Sequence, residues 1–167
     1  PVARDDTFSV NEDEPSVAGN LLANDDDPDN GDSVTFLGHD APNVMGSLSV
    51  GSDGSFTYEP DASFQTLGAG ETQTETFTYT IEDTMGVVSE ATATITVVGA
   101  NDDPVPESDS ITTDEDTPVV TGNVLENDQD VDVHDTLTVV GIDLTGTAGT
   151  ATVIEGGILR YDPNGAF

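Results

Sequence analysis

Two stretches of the sequence, NDDDPDNGD from Asn24 to Asp32 and NDQDVDVHD from Asn127 to Asp135, place carboxylates at every second position. In the first these are Asp25, Asp27 and Asp29, followed by Asp32. In the second they are Asp128, Asp130 and Asp132, followed by Asp135. Left without a counter-charge, such loops repel themselves. Hard oxygen donors converging from one loop, with the amide oxygens of Asn24 and Asn127 nearby, suit Ca²⁺, which takes six to eight oxygens in loose geometry, better than Mg²⁺, which demands a strict octahedron. The competing reading is a solvated acidic surface, and repetition at a fixed spacing favours the metal. A self-contained EF-hand is excluded, because a loop counted from Asp25 has Asn30 where glycine is required and Phe36 where the bidentate glutamate is required.

The same chemistry is spread over the whole chain. Thirty-four Asp and Glu stand against two basic residues, Arg4 and Arg160, giving a formal net charge of −32 over 167 residues. Nucleic-acid binding requires basic patches that displace counterions from phosphates, and an anionic membrane surface requires the same, so both are excluded. There is no cysteine, hence no disulfide or thiolate chemistry. No apolar run reaches the length of a membrane-spanning helix. With so many carboxylates, the proximity of any two says nothing about glycosidase chemistry. His39 and His134 are too few for a zinc cluster, and the Asp-Pro bonds at Pro28, Pro104 and Pro163 have a structural reading as loop ends. The chain reads as non-enzymatic.

The elements that must carry these loops follow from an internal repeat. At an offset of 103, residues 104–167 align with 1–64 without a gap, and 24 of the 64 positions are identical, from Glu12/Glu115 through Asn24/Asn127 and Tyr58/Tyr161 to Phe64/Phe167. A period near 100 residues is that of a β-sandwich domain rather than a solenoid repeat. The expected organisation is a complete domain over 1–103 and a second copy over 104–167 that stops before its last two strands. Within one copy, Phe77, Tyr79 and Ile81 alternate with threonines, as do Ala93, Ile95 and Val97, which is the period of half-buried strands. Adding 7–10, 16–22, 34–38, 47–50 and 55–59 gives seven strands.

An odd number of alternating strands sorts the loops. Loops 23–33, 51–54 and 82–86 fall at the entry end of the domain; loops 11–14, 39–46, 60–73 and the linker 99–104 fall at the exit end. In the second copy, residues 136–141 should lack a partner strand and expose Leu137 and Val139.

These residues resemble a known family. FSVNEDEPSV, ANDDDPDNGDSVTF, FTYTIED and GANDDPV follow the cadherin order of a Glu after the first strand, an acidic loop, an acid closing the sixth strand and an Asn-Asp linker before Pro. LLANDDDPDNGDSVTF, GSDGSFTYEPDASF and LGAGETQTETFTYTIED are similar to the VCBS-type and bacterial cadherin-like repeats of large secreted adhesins. The resemblance implies an all-β fold of tandem Greek-key, immunoglobulin- or cadherin-like sandwiches. It implies Ca²⁺ held by Glu12, by Asn101, Asp102 and Asp103 of the linker, and by Asp128, Asp130 and Asp132 of the second copy. Asp83 would serve at the opposite end of the first. Gly99 departs from the pattern, standing where the linker's first acid is expected, and Asp29 stands where the loop usually has glycine. The function so implied is a calcium-rigidified extracellular spacer of a bacterial adhesin, in cell adhesion and biofilm. Its partners are neighbouring repeats of the same polypeptide. The alternative is a module that binds a glycan or another copy of the chain.

Overall fold

The computed structural model describes residues 1–165; Phe167, the repeat mate of Phe64, lies outside the described residues. The chain divides into two compact units, one over Pro1–Asn101 and a second from Asp102 onward.

The first unit has seven strands: β1 (Asp6–Asn11), β2 (Val17–Asn20), β3 (Thr35–Asp40), β4 (Ser47–Val50), β5 (Ser55–Glu59), β6 (Thr72–Glu82) and β7 (Val88–Val98). Each overlaps a strand expected from alternation, and β4 and β5 coincide with theirs. A 3-10 turn, Ala62–Thr66, was not foreseen; Asp61 caps it by accepting from the Ser63 N–H. The strands form two sheets, ordered β1-β7-β6-β3 and β2-β5-β4. β1 and β7 run parallel, while β6 is antiparallel to both β7 and β3. Strict reversal from strand to strand requires this, because the first and seventh strands of an alternating series point the same way. The pairings β3–β6 and β2–β5 between strands distant in sequence are the crossovers of a Greek-key sandwich.

The core lies between the sheets and is built from the inward parity of each strand. Tyr79, Ile81, Ala93, Ile95 and Val97 are fully buried on β6 and β7, with Tyr58 on β5. Burying an aliphatic side chain of this size is worth about 1.5–3 kcal/mol. Three rings join the layers: Phe8 meets Phe56 edge-on at 4.5 Å, and Phe56 meets Phe77 at 6.3 Å. Gly19 on β2 makes room for them, since a Cβ there would come within 2.7 Å of both Phe8 and Phe56.

In the second unit the described residues form three strands, β8 (Val119–Asn123), β9 (Thr150–Glu155) and β10 (Ile158–Asp162), ordered β8-β10-β9. Subtracting 103 maps these onto β2, β5 and β4. The match extends to single bonds. The Tyr58 hydroxyl donates to the Met45 carbonyl at 2.6 Å, and its mate Tyr161 donates to Ala148, the mate of Met45, at 2.5 Å. Residues 136–141 form no strand. Leu137 and Val139 are half-buried rather than exposed, and their neighbour Val140 is fully exposed.

Candidate metal centre

The β2–β3 loop is folded by its own side chains. Asn24 donates through Nδ2 to the carbonyls of Arg4 (3.2 Å) and Asp5 (3.0 Å), and Asp25 Oδ1 accepts from the Arg4 N–H at 2.8 Å. Further along, Asp27 Oδ1 accepts from the Asp29 N–H at 2.8 Å, and the Asp32 N–H donates to the Asp29 carbonyl at 3.1 Å. These are Asx-type turns, in which a short carboxylate stands in for a backbone acceptor. The β6–β7 turn uses the same device: Asp83 Oδ1 accepts from Met85 N–H (2.8 Å) and Val87 N–H (2.9 Å). The Thr84 hydroxyl donates to Asp32 and ties the two loops together. Asp27, Asp32 and Asp83 thereby each bring one carboxylate oxygen to within 4.8 Å of the others. All three lie at the entry end assigned by strand parity.

The orientation of these oxygens matters more than their number. In Asp27 and Asp83 the backbone occupies Oδ1, which leaves Oδ2 directed elsewhere. Both Oδ2 atoms face one positive charge, the ammonium of Pro1, at 2.9 Å from Asp27 and 3.8 Å from Asp83. The Asp29 N–H, and after it the Pro1 ammonium, hold the Asp27 carboxyl below its usual range. The hydrogen bond it donates to Asp27 raises the Pro1 amino group. Three carboxylates brought this close call for a counter-charge. The donor set is all oxygen, flexible and anionic, which fits Ca²⁺.

Beneath this cluster lies a polar knot that sequence reasoning missed. The Tyr79 hydroxyl sits 2.9 Å from the Arg4 carbonyl, 2.9 Å from Asp6 Oδ2, 3.1 Å from the Leu21 carbonyl and 3.2 Å from Asp25 Oδ1. One proton faces four acceptors. Burial pushes the Asp6 carboxyl up from its usual range, against the lowering effect of Tyr79, and burial together with Asp6 pushes the Tyr79 phenol far up. The signal was available: Asp6 shares the inward parity of Phe8 and Val10 on β1, where a charge is out of place. Asp25 is turned inward to this knot, and its Oδ2 is buried with no hydrogen-bond donor. Asp29 is exposed, and its backbone rather than its carboxylate shapes the loop.

The second unit repeats three of these bonds. The Glu107 N–H donates to Asp128 Oδ1 at 2.8 Å, the Asp132 N–H to Asp130 Oδ1 at 3.0 Å, and the Asp135 N–H to the Asp132 carbonyl at 3.1 Å. Each is the mate, 103 residues on, of a bond described above. Asp132 differs from its mate Asp29 in being 1% exposed; its Oδ2 accepts from the Asp102 N–H at 3.0 Å, while its Oδ1 is buried with no donor. Asp128 and Asp130 are half-buried, and Asp135 is exposed. At the exit end of the first unit, Glu12 is buried and its Oε1 accepts from the Ala100 N–H at 2.8 Å. Of the linker residues, Asp102 is half-buried, and Asn101 and Asp103 are exposed.

The sequence of residues 1–99 matches the model of the bacterial cadherin-like domain, and residues 101–167 match that of the bacterial Ig domain. No curated protein matches. Among solved structures, the chain is similar to one titled as the protocadherin gammaB7 EC3-6 cis-dimer, at 16% identity and a TM-score of 0.50, over 95% of this chain and 37% of that one. Drosophila N-cadherin EC1-4 aligns at 16% identity and a TM-score of 0.43, over 96% of this chain and 40% of that one. The chain therefore spans about two fifths of the length of these solved chains. The protocadherin similarity supports the sandwich fold and nothing further. Among the described residues no helix is long and apolar enough to cross a membrane.

Proposed function

Because the chain belongs to the bacterial cadherin-like domain family, we propose that it works as a calcium-stiffened extracellular spacer repeat of a bacterial surface or secreted adhesin, without catalytic activity. The observation that carries this reading is the convergence of Asp27, Asp32 and Asp83, each bringing a carboxylate oxygen to within 4.8 Å of the others, in a chain of net charge −32. A buried carboxylate oxygen without a donor is costly unless a counter-charge is supplied, and Asp25 Oδ2 and Asp132 Oδ1 are such atoms, one in each unit. Asp27, Asp32 and Asp83 would hold a cation in the first unit, with Asp25 behind them. Asp128, Asp130 and Asp132 form the corresponding loop of the second.

The stiffening rests on the sequence order of the linker. Residues 99–104 carry Asp102 and Asp103 in a span of six, next to Asn101. A cation neutralising them would hold the linker to one conformation and make many repeats in series a rod. Biofilm and cell adhesion are where such rods serve. A sugar platform is not favoured, because Phe56, Tyr58, Phe77 and Tyr79, the rings that would supply it, are buried in the core.

Thermal unfolding with and without excess chelator tests the proposal. A ligand that binds the folded state at a hundredfold its Kd adds about 2.7 kcal/mol, so calcium should raise the Tm by several degrees and magnesium should substitute poorly. Chelation should also open residues 99–107 to protease. Melting curves that coincide in calcium and in chelator would refute the reading.

A further inference from the structure

Two asparagines of the β2–β3 loop are held very differently. Asn24 donates through Nδ2 to the carbonyls of Arg4 and Asp5, and Asp25 after it accepts from the Arg4 N–H. Asn30 is exposed, as is Gly31 after it, and among the described residues neither the Asn30 side chain nor the Gly31 N–H is engaged in a hydrogen bond. Both lie in a turn closed by one hydrogen bond, from the Asp32 N–H to the Asp29 carbonyl at 3.1 Å. Gly31 takes φ +96°, as the third residue of a type II turn must, and the space a Cβ would fill there holds nothing within 4 Å. With no side chain on the residue after Asn30, nothing hinders its backbone nitrogen from approaching the Asn30 amide.

We propose that Asn30-Gly31 is a self-modification site, at which the asparagine deamidates to aspartate and isoaspartate. The Gly31 nitrogen gives its proton to solvent and attacks Cγ of Asn30. The N–Cγ bond forms, the Cγ–Nδ2 bond breaks, and ammonia leaves with a proton taken back from solvent, closing a succinimide ring. Water then opens the ring at either carbonyl. Opening at Cγ gives aspartate, and opening at the main-chain carbonyl gives isoaspartate, whose backbone runs through Cγ. An amide and water become a carboxylate and ammonium, with no metal, oxidant or enzyme, so the chemistry stands apart from the calcium reading. The fold selects this step. At the other Asn-Gly pair, the Asn164 N–H is held by Asp162 Oδ1 at 3.1 Å and Nδ2 donates to Thr150 Oγ1 at 3.5 Å. In the second acidic loop the mates of Asn30 and Gly31 are Val133 and His134, which cannot form the ring. The modified turn joins Asp27 to Asp32, two of the three converging carboxylates. Either product adds a negative charge there, and isoaspartate also inserts a methylene into the main chain between them.

The test keeps the full chain in metal-free buffer at mildly alkaline pH, folded or unfolded in guanidinium chloride, and follows position 30 by peptide mapping that separates aspartate from isoaspartate. A turn held by one exposed hydrogen bond slows the attack by no more than about tenfold. Asn30 in the folded chain should therefore convert within about tenfold of its unfolded rate, to a mixture containing isoaspartate, while Asn24 stays an amide. Asn30→Gln should remove the mass rise of this peptide. Asn30 persisting in the folded chain after the unfolded chain has converted overturns the proposal. So does conversion of folded Asn24 at the same rate, or a product that is aspartate alone, which marks direct hydrolysis without the ring.

Discussion

Tyr58 and Tyr161 make the same hydrogen bond to the same repeat position, yet one is fully buried and the other half-exposed. Asp27 and Asp130 hold the same turn, and Gly54 and Gly157 both take positive φ, at 77° and 80°. Much of what is fixed by residues close in sequence is shared between the units. What differs is whatever requires strands far away. The core of the first unit depends on β6 and β7, whose partners include β1, more than 80 residues distant. Local sequence therefore writes the loops and the small sheet, and distant pairing decides which apolar side chains leave water.

The sharpest way to break that comparison is to truncate the paired core positions. Phe56→Ala should destabilise the first unit by about 3–5 kcal/mol, the usual cost of removing a buried ring, whereas Leu159→Ala should cost the second unit about 1 kcal/mol or less. Urea unfolding followed by hydrogen exchange in each unit measures both. Equal losses would mean that the two sheets are covered alike.

The glycine pair gives a smaller contrast with the same logic. Gly19→Ala forces a methyl against Phe8 and Phe56 and should cost about 1–3 kcal/mol. Gly122→Ala meets open space and should fall within about 0.5 kcal/mol of neutral. A neutral Gly19→Ala would show that the rings yield more readily than their packing implies.

The smallest effect concerns Asp6. Its carboxyl is raised by burial, so the folded state binds its proton more tightly than the unfolded chain does. That contribution favours folding below the ordinary carboxylate range, near pH 4, and is lost as the pH rises through the raised value. Asp6→Asn removes the charge and adds a donor beside Tyr79, so it should raise the Tm by about 2 °C at pH 7, with the gain vanishing at pH 3. A gain that is independent of pH would place the charge of Asp6 elsewhere than in the knot.

Much of this was legible beforehand, for identifiable reasons. Alternation revealed β6 and β7 because one face is apolar and the other threonine. Strand parity placed Asp83 with Asp27 and Asp32, although more than fifty residues separate Asp83 from either. The knot around Tyr79 was not legible, because the four acceptors about this β6 hydroxyl come from residues 4–6 and from residues 21–25, and no spacing within one segment encodes their meeting. Nor did the sequence distinguish Asp29 from Asp132, which occupy the same repeat position with opposite exposure. Alternation of acids along a loop does not show which carboxylates converge: Asp27 and Asp32 do, with Asp83, while Asp25 turns inward.

Calorimetric titration of calcium into the chain and into its Asp27→Asn, Asp83→Asn variant tests the central claim most directly. Asparagine keeps the Oδ1 acceptor that holds each turn and removes the charge on Oδ2, so the first unit should remain folded. The account predicts that the variant loses one calcium equivalent and about tenfold or more in affinity at that site, for the loss of two charge-assisted contacts, with the remaining sites unchanged. Identical isotherms for the two proteins would contradict it.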